Sequence, residues 1–203
     1  MSSLFIAINL LRLKDKYMPA VLPIFPLQLV VFPREKLNLH IFEPRYKQLI
    51  QECEKEGLTF GMPAYIDGKI KEVGTELKLL AIEKKYPKGE MDIRTLGIGL
   101  FKIQKRFQKA PGKLYGAAEV ERLEFTLEGD YVLSEKILVL VTELFLLLNI
   151  DKTVPQNPNK FITYEIAHHV GFSLEQEYDF LNLVTEIERQ SFLYQHLKKL
   201  MNF

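Results

Sequence analysis

Four prolines, Pro23, Pro26, Pro33 and Pro44, punctuate the apolar run from Leu22 to Tyr46, and their spacing limits what this chain can fold into. A proline has no N–H to give to a sheet ladder or a helix interior. Each one must therefore stand at a strand end, at a sheet edge, in a turn, or in the first turn of a helix. Between Pro26 and Pro33, Leu29-Val30-Val31-Phe32 reads as a short buried strand. Leu37, Leu39 and Ile41 alternate with Asn38 and His40, the period of a half-buried strand. Pro44 then fits the first turn of a helix, where its missing N–H costs little. That helix carries an apolar stripe of Tyr46, Leu49, Ile50 and Cys53 and a stop signal at Gly57. The stretch has the composition of a rigid, buried scaffold, with Glu43 and Arg45 bracketing Pro44.

From Thr59 to Glu124 the pattern is one of short strands and Gly/Pro turns. Strands are predicted over Phe60–Ile66, around Leu77–Ala81, over Met91–Gly97, around Phe101–Ile103 and over Tyr115–Glu124. Turns fall at Asp67-Gly68 and Pro87–Glu90. After Gly129 helical periodicity takes over. Ser134 is the expected cap of a helix running to about Leu148, with Ile137, Leu138, Val141, Leu144, Phe145 and Leu148 inward. Asn149–Asn159 reads as a loop and Phe161–Val170 as a short helix ended by Gly171. Ser173-x-x-Gln176 and Thr185-x-x-Glu188 are capping-box patterns opening two further helices. The last of these is expected to bury Ile187, Phe192, Leu193, Leu197 and Leu200. The fold class that follows is α+β, a β-rich part over residues 21–128 and a helical part over 129–203, behind an N-terminal extension, residues 1–20.

The 203 residues are 47% hydrophobic and 26% charged, a globular balance. A formal net charge of +1 sets up no global field that would draw the chain to nucleic acid or anionic lipid. The single cysteine, Cys53, excludes a disulfide framework and a cysteine-based zinc site. Neither Leu4–Leu11 nor Ile137–Ile150 is long enough to span a bilayer, and Leu4–Leu11 is followed rather than preceded by its basic residues, unlike a secretory signal. A cytoplasmic protein without membrane contact is expected. Two readings stay open for residues 1–17: a start placed upstream of Met18, or a short helix or strand packed on the domain.

The residues then resemble a known family. Leu22-Pro23-Ile24-Phe25-Pro26-Leu27, Val31-Phe32-Pro33 and above all Leu39-His40-Ile41-Phe42-Glu43-Pro44-Arg45-Tyr46 resemble the N-terminal LON domain of ATP-dependent Lon proteases. Phe60-Gly61, Glu72-Val73-Gly74-Thr75, Asp92-Ile93, Gly99-Leu100-Phe101 and Ala118–Glu121 continue it in order, and Glu188-Arg189 is similar to its closing helix. The resemblance covers about residues 21–203. It implies a PUA-like β-barrel followed by a helical subdomain, and a role in recognising protein substrates. No G-x-x-x-x-G-K-[ST] phosphate loop occurs and no Ser–Lys peptidase domain follows, so the expectation is a stand-alone, non-catalytic LON-domain protein of bacterial type, with no cofactor and no metal.

Within that expectation the structural motif is Phe42, Glu43, Pro44, Arg45 and Tyr46, with Glu43 at the positive helix N-terminus and Arg45 pinning the strand–helix corner. Two short segments are candidate interaction surfaces: Lys85 and Tyr86 at a hairpin tip, and Lys105 and Arg106 in the basic stretch Lys102–Lys109. The leading function is polypeptide binding, as substrate recognition or as an adaptor linked to proteolysis. RNA binding through residues 102–109 is the alternative, opposed by neutrality and by neighbouring Glu119, Glu121 and Glu124. An unrecognised enzyme comes third. His168 and His169 point about 100° apart if helical, so they do not converge on a metal. Glu165 and His169 lack a third ligand, no serine lies in G-x-S-x-G, and Cys53 falls on the apolar side of its helix.

Overall fold

The computed structural model describes residues 20–201; both readings of the segment 1–17 lie outside the described residues. Among the described residues six strands and four α-helices follow one another: β1 (Ala20–Ile24), β2 (Lys36–Ile41), α1 (Pro44–Glu56), β3 (Thr59–Ile66), β4 (Lys69–Lys85), β5 (Met91–Phe107), β6 (Gly116–Leu123), α2 (Tyr131–Leu147), α3 (Leu174–Leu181) and α4 (Glu186–Leu200). The pairing order is β2-β5-β4-β3-β1-β6, and β6 also pairs with β5, so the ladder closes on itself. Most of it is antiparallel; β1 runs parallel to β3, with Ile24 opposite Gly61.

The closure depends on β5. One of its edges carries β4, and the other carries β2 over Met91–Leu96 and then β6 over Leu100–Phe107. The two strands expected around Met91–Gly97 and Phe101–Ile103 are thus one, and the glycines between them mark a hand-over of partners. At Gly97 an added Cβ would stand 2.5 Å from the Phe32 carbonyl oxygen. Only glycine lets the Phe32–Glu35 turn lie there, where Arg34 N–H donates to the Gly97 carbonyl and Gly97 N–H to that of Glu35.

Leu29–Phe32 is not a strand. It is irregular chain whose residues are shared between two cores. Val31 packs with Phe25, Ile41, Leu49, Phe60 and Leu77 beneath α1. Val30 and Phe32 pack with Ile66, Val73 and Leu100 of the strands and with Ile137, Val141, Phe180, Leu193 and Leu197 of the helices. Instead of a ladder, the Thr75 hydroxyl satisfies the Val31 carbonyl. A third, small cluster of Leu22, Ile24, Phe101, Ala118 and Val120 fills the seam beside β1 and β6.

α1 forms as its sequence demands: Pro44 opens it, Gly57 closes it in the left-handed region, and Tyr46, Leu49, Ile50 and Cys53 are buried. Both capping boxes, at Ser173/Gln176 and Thr185/Glu188, are formed. The start of α2 differs from the expectation. Asp130 caps it by accepting from Leu133 N–H, and Ser134 lies buried one turn inside, accepting from the Gln190 amide at 2.8 Å. Residues 161–170 form two short 3-10 turns, Thr163–Glu165 and Ala167–His169, rather than an α-helix.

In α4 the buried stripe is Glu186, Arg189, Gln190, Leu193 and Leu197, while Ile187 and Leu200 are exposed. Arg189 donates to Glu186 at 2.7 Å, to the Leu183 carbonyl at 2.7 Å and to the Thr126 carbonyl, and its guanidinium lies 4.2 Å from the Tyr164 ring centre. Glu186 also accepts from Thr163 N–H at 2.7 Å. This buried network ties the 124–130 crossover and the 161–165 turns to α4. Gly129 gives way for it, since a Cβ there would meet the Gln190 amide at 2.3 Å.

Candidate functional site

The strand–helix corner is built as a stack. Tyr46 is buried against Phe25 with ring centres 3.7 Å apart. The Arg45 guanidinium lies 4.6 Å from the Tyr46 ring centre and reaches back to Glu43 at 2.7 Å. Glu43 occupies the N-cap position, but its carboxylate pairs with Arg45 and makes no cap hydrogen bond. Burial, partly offset by the neighbouring Arg45, raises the Tyr46 hydroxyl above its ordinary pKa. Phe42 turns outward, 62% exposed, beside His40.

Next to this corner the strand ring splits. The β4–β5 register runs from Lys85 opposite Met91 to Val73 opposite Lys102 and stops there. Beyond it, Ile103–Phe107 stay paired with β6 and Lys69–Ile70 with β3. Each strand carries an irregularity at the parting, between Ile103 and Lys105 against β6 and between Pro63 and Tyr65 in the β3–β4 pair. Bulges of this kind bend and twist a strand away from its neighbour. The result is a cleft of about 570 Å³. Ile70 is on one wall, Arg106, Phe107 and Gln108 on another, and Ile24, Pro26, Arg45 and Tyr46 also line it.

Two candidates that the sequence places far apart, Arg45 and Arg106, therefore line one cleft. Arg45 is already paired with Glu43; among the described residues Arg106 has no carboxylate within ion-pair distance. Lys105 extends over the Phe107 ring, 5.2 Å from its centre. Across the β5–β6 ladder Glu119 stands opposite Lys105 and Glu121 opposite Lys102, and Lys102 also reaches Glu72 at 3.8 Å.

Lys85 and Tyr86 lie at the other end of the β4–β5 ladder, and both are engaged there. Lys85 pairs with Glu54 of α1 at 2.9 Å. The Tyr86 hydroxyl donates to Asp92 at 2.6 Å, and Asp92 pairs with His40, also at 2.6 Å. Those two hydrogen bonds hold the Asp92 carboxyl below the usual range, and the same bond to Asp92 pushes the Tyr86 hydroxyl up.

The remaining reactive side chains are held in structural roles. Burial, with nearby Glu52, pushes the Cys53 thiol up to about 12, so it is protonated at neutral pH. His168 packs at a tilt against Phe32, with ring centres 4.7 Å apart, between Glu177 at 2.7 Å on one nitrogen and Glu35 at 3.1 Å on the other. Burial lowers its pKa, but the two carboxylates more than compensate and raise it to about 9. His169 packs on Phe145 instead. Among the described residues no group of three His, Cys, Asp or Glu side chains can hold a metal ion.

One charged cluster was not visible in the sequence. Arg122 grips the nearly buried Glu76 with bonds of 2.7 and 3.0 Å, and the Thr59 hydroxyl adds a third at 2.6 Å. Burial alone would raise the Glu76 carboxyl, yet these donors bring it below the usual range. Only the pairing of β3, β4 and β5 with β6 assembles the three, so no local motif could announce them.

Residues 21–199 match the family described as the ATP-dependent protease La (LON) substrate-binding domain. Among solved structures, a Lon N-terminal domain protein from Xanthomonas campestris superposes with a TM-score of 0.64 at 23% identity, over 91% of this chain and 98% of that one. The N-terminal domain of a Lon protease from the Mycobacterium avium complex does so with a TM-score of 0.69 at 12% identity, over 88% of this chain and 98% of that one. No curated protein sequence matches significantly. The closed mixed sheet with its helical C-terminal part is thus the fold of Lon N-terminal domains, and the chain belongs to the Lon substrate-binding domain family.

Proposed function

We propose that this protein recognises polypeptides and carries out no chemistry on them, acting as a substrate-recognition or adaptor module linked to proteolysis in the cytoplasm. The observation that carries the reading is the family match over residues 21–199, whose description is that of a substrate-binding domain. The cleft at the β4–β5 split supports it physically: it joins apolar walls, a guanidinium with no ion-pair partner among the described residues, and strand edges, the ingredients of main-chain recognition with side-chain pockets. The engaged hairpin tip makes Lys85 and Tyr86 the weaker surface and Arg106 and Lys105 the stronger.

The non-catalytic part of the reading is supported by Cys53, buried with a thiol that stays protonated, and by Ser134 and Ser173, which serve as buried hydrogen-bond partner and helix cap. Glu119 and Glu121, opposite Lys105 and Lys102, counter the field an RNA backbone needs. The test is to present the pure protein with a peptide array and with a reduced, denatured carrier protein. Binding above an inert control is expected; no binding to either would refute the reading.

A further inference from the structure

Past Val73 and Lys102, β5 has a ladder partner on one side only. Ile103–Phe107 pair with β6, and among the described residues no strand pairs with their other edge. An extended edge of this kind is a row of main-chain donors and acceptors waiting for a partner strand. Here it borders the cleft, because Arg106 and Phe107 lie on the edge and line the cavity together. Its chemistry is cationic and apolar at once. Lys105, Arg106 and Lys109 are exposed along this run, and Phe107, Ile70 and Ile24 offer apolar surface. Of the two guanidiniums in the cleft, Arg45 is neutralised by Glu43, while Arg106 has no such partner among the described residues.

We propose that the free edge of β5, residues 103–107, accepts an extended acidic polypeptide segment as an added strand, with a carboxylate of the segment on Arg106 and an apolar side chain of it in the cleft. The proposal rests on the polypeptide-recognition reading and adds to it a place, a binding mode and a partner chemistry. Main-chain pairing supplies affinity that is indifferent to sequence, and alternate side chains supply selection: with a period of two, one set lies on the Phe107 face of the edge and the other on the Arg106 face. A charge-assisted, fork-shaped contact from Arg106 selects carboxylates over cationic or neutral side chains. The same geometry disfavours a nucleic acid, which has no N–H and C=O row to pair with the edge.

The experiment is fluorescence anisotropy on the full chain with a labelled peptide of about eight residues alternating Glu and Leu. Two counterparts accompany it, one with Lys for Glu and one N-methylated at alternate residues on the edge-pairing side. The Glu/Leu peptide is expected to bind, and both counterparts to bind at least about tenfold more weakly. Arg106→Glu, and Arg106→Ala as the gentler variant, are expected to weaken the Glu/Leu peptide by about tenfold while leaving the thermal melt in place, since the side chain is exposed. Equal binding of the N-methylated peptide, or no effect of either Arg106 variant, overturns the proposal. If a reduced, denatured carrier protein binds but the Glu/Leu peptide does not, the acidic edge is wrong and polypeptide recognition stands. If neither binds, both fall. An oligoribonucleotide that binds more tightly than the peptide and depends on Arg106 overturns the proposal in favour of nucleic acid.

Discussion

The core beneath α1 and the core beneath α2 and α4 are held by different physics. The first holds no buried ion pair among the described residues: Phe25, Val31, Leu49, Ile50, Phe60, Met62 and Leu77 close around a stacked tyrosine. The second is accompanied by an ion pair, Glu186 and Arg189, each fully buried, with Gln190 alongside. An apolar core is specified by volume, so it tolerates exchange of one hydrophobe for another of similar size. A buried charge pair is specified by partners; remove one and the other is left in a medium that cannot solvate it. The two halves of this fold are therefore sensitive to opposite kinds of change.

The largest effect should come from the charged core. Arg189→Ala strands the Glu186 carboxylate and is expected to cost about 3–5 kcal/mol, read as a fall in melting temperature of roughly 10 °C. Replacing both partners by apolar residues of similar volume should recover much of that loss; if it does not, packing and not charge governs this core too. Leu49→Ala in the apolar core is expected to cost about 3 kcal/mol, and Leu49→Met less than about 1.5 kcal/mol, in a denaturant titration. A Met variant as damaging as the Ala variant would erase the contrast.

His168 bridges the Phe32–Glu35 turn and α3 and gives a smaller effect with a pH signature. Its folded pKa, about 9, lies above the ordinary histidine value. The stabilisation is thus fully present below about pH 6.5 and is lost as pH rises through about 9. Its size is about 2 kcal/mol after allowing for partial exposure. Glu35, Glu177, Lys152 and His169 all surround it, so the control is His168→Gln, which should flatten stability between pH 6.5 and 9. An unchanged slope would assign the effect to other groups. The smallest effect is that of Arg45→Ala. The Glu43–Arg45 pair is exposed, and its loss should lower the melting temperature by the equivalent of less than about 1 kcal/mol.

The same contrast explains what the sequence could disclose. α1 was legible to its ends, because Pro44, Gly57 and the stripe at Tyr46, Leu49, Ile50 and Cys53 are all local signals. The buried face of α4 was legible only at Leu193 and Leu197: Glu186, Arg189 and Gln190 keep the same helical spacing, but charged and amide residues hide a stripe from any hydrophobicity pattern. Leu29–Phe32 read as a strand from composition, yet its residues face alternate cores with no ladder beside them, something only long-range packing decides. At the candidate cleft, Arg45 belonged to a recognisable motif and Arg106 to a basic run. Their meeting depends on the closing of the sheet and on the two irregularities that part β4 from β5, and neither leaves a local mark.

The irregular segment at Val30, Val31 and Phe32 also bears on how the molecule can be divided. Consecutive residues there belong to different cores, and Ala64, Ile66, Val73 and Leu100 of the sheet complete the helical one. A fragment cut between β6 and α2 would carry those side chains uncovered, an open apolar surface prone to aggregation. The strand-rich and helical parts are therefore expected to unfold together and to be expressed or recombined whole.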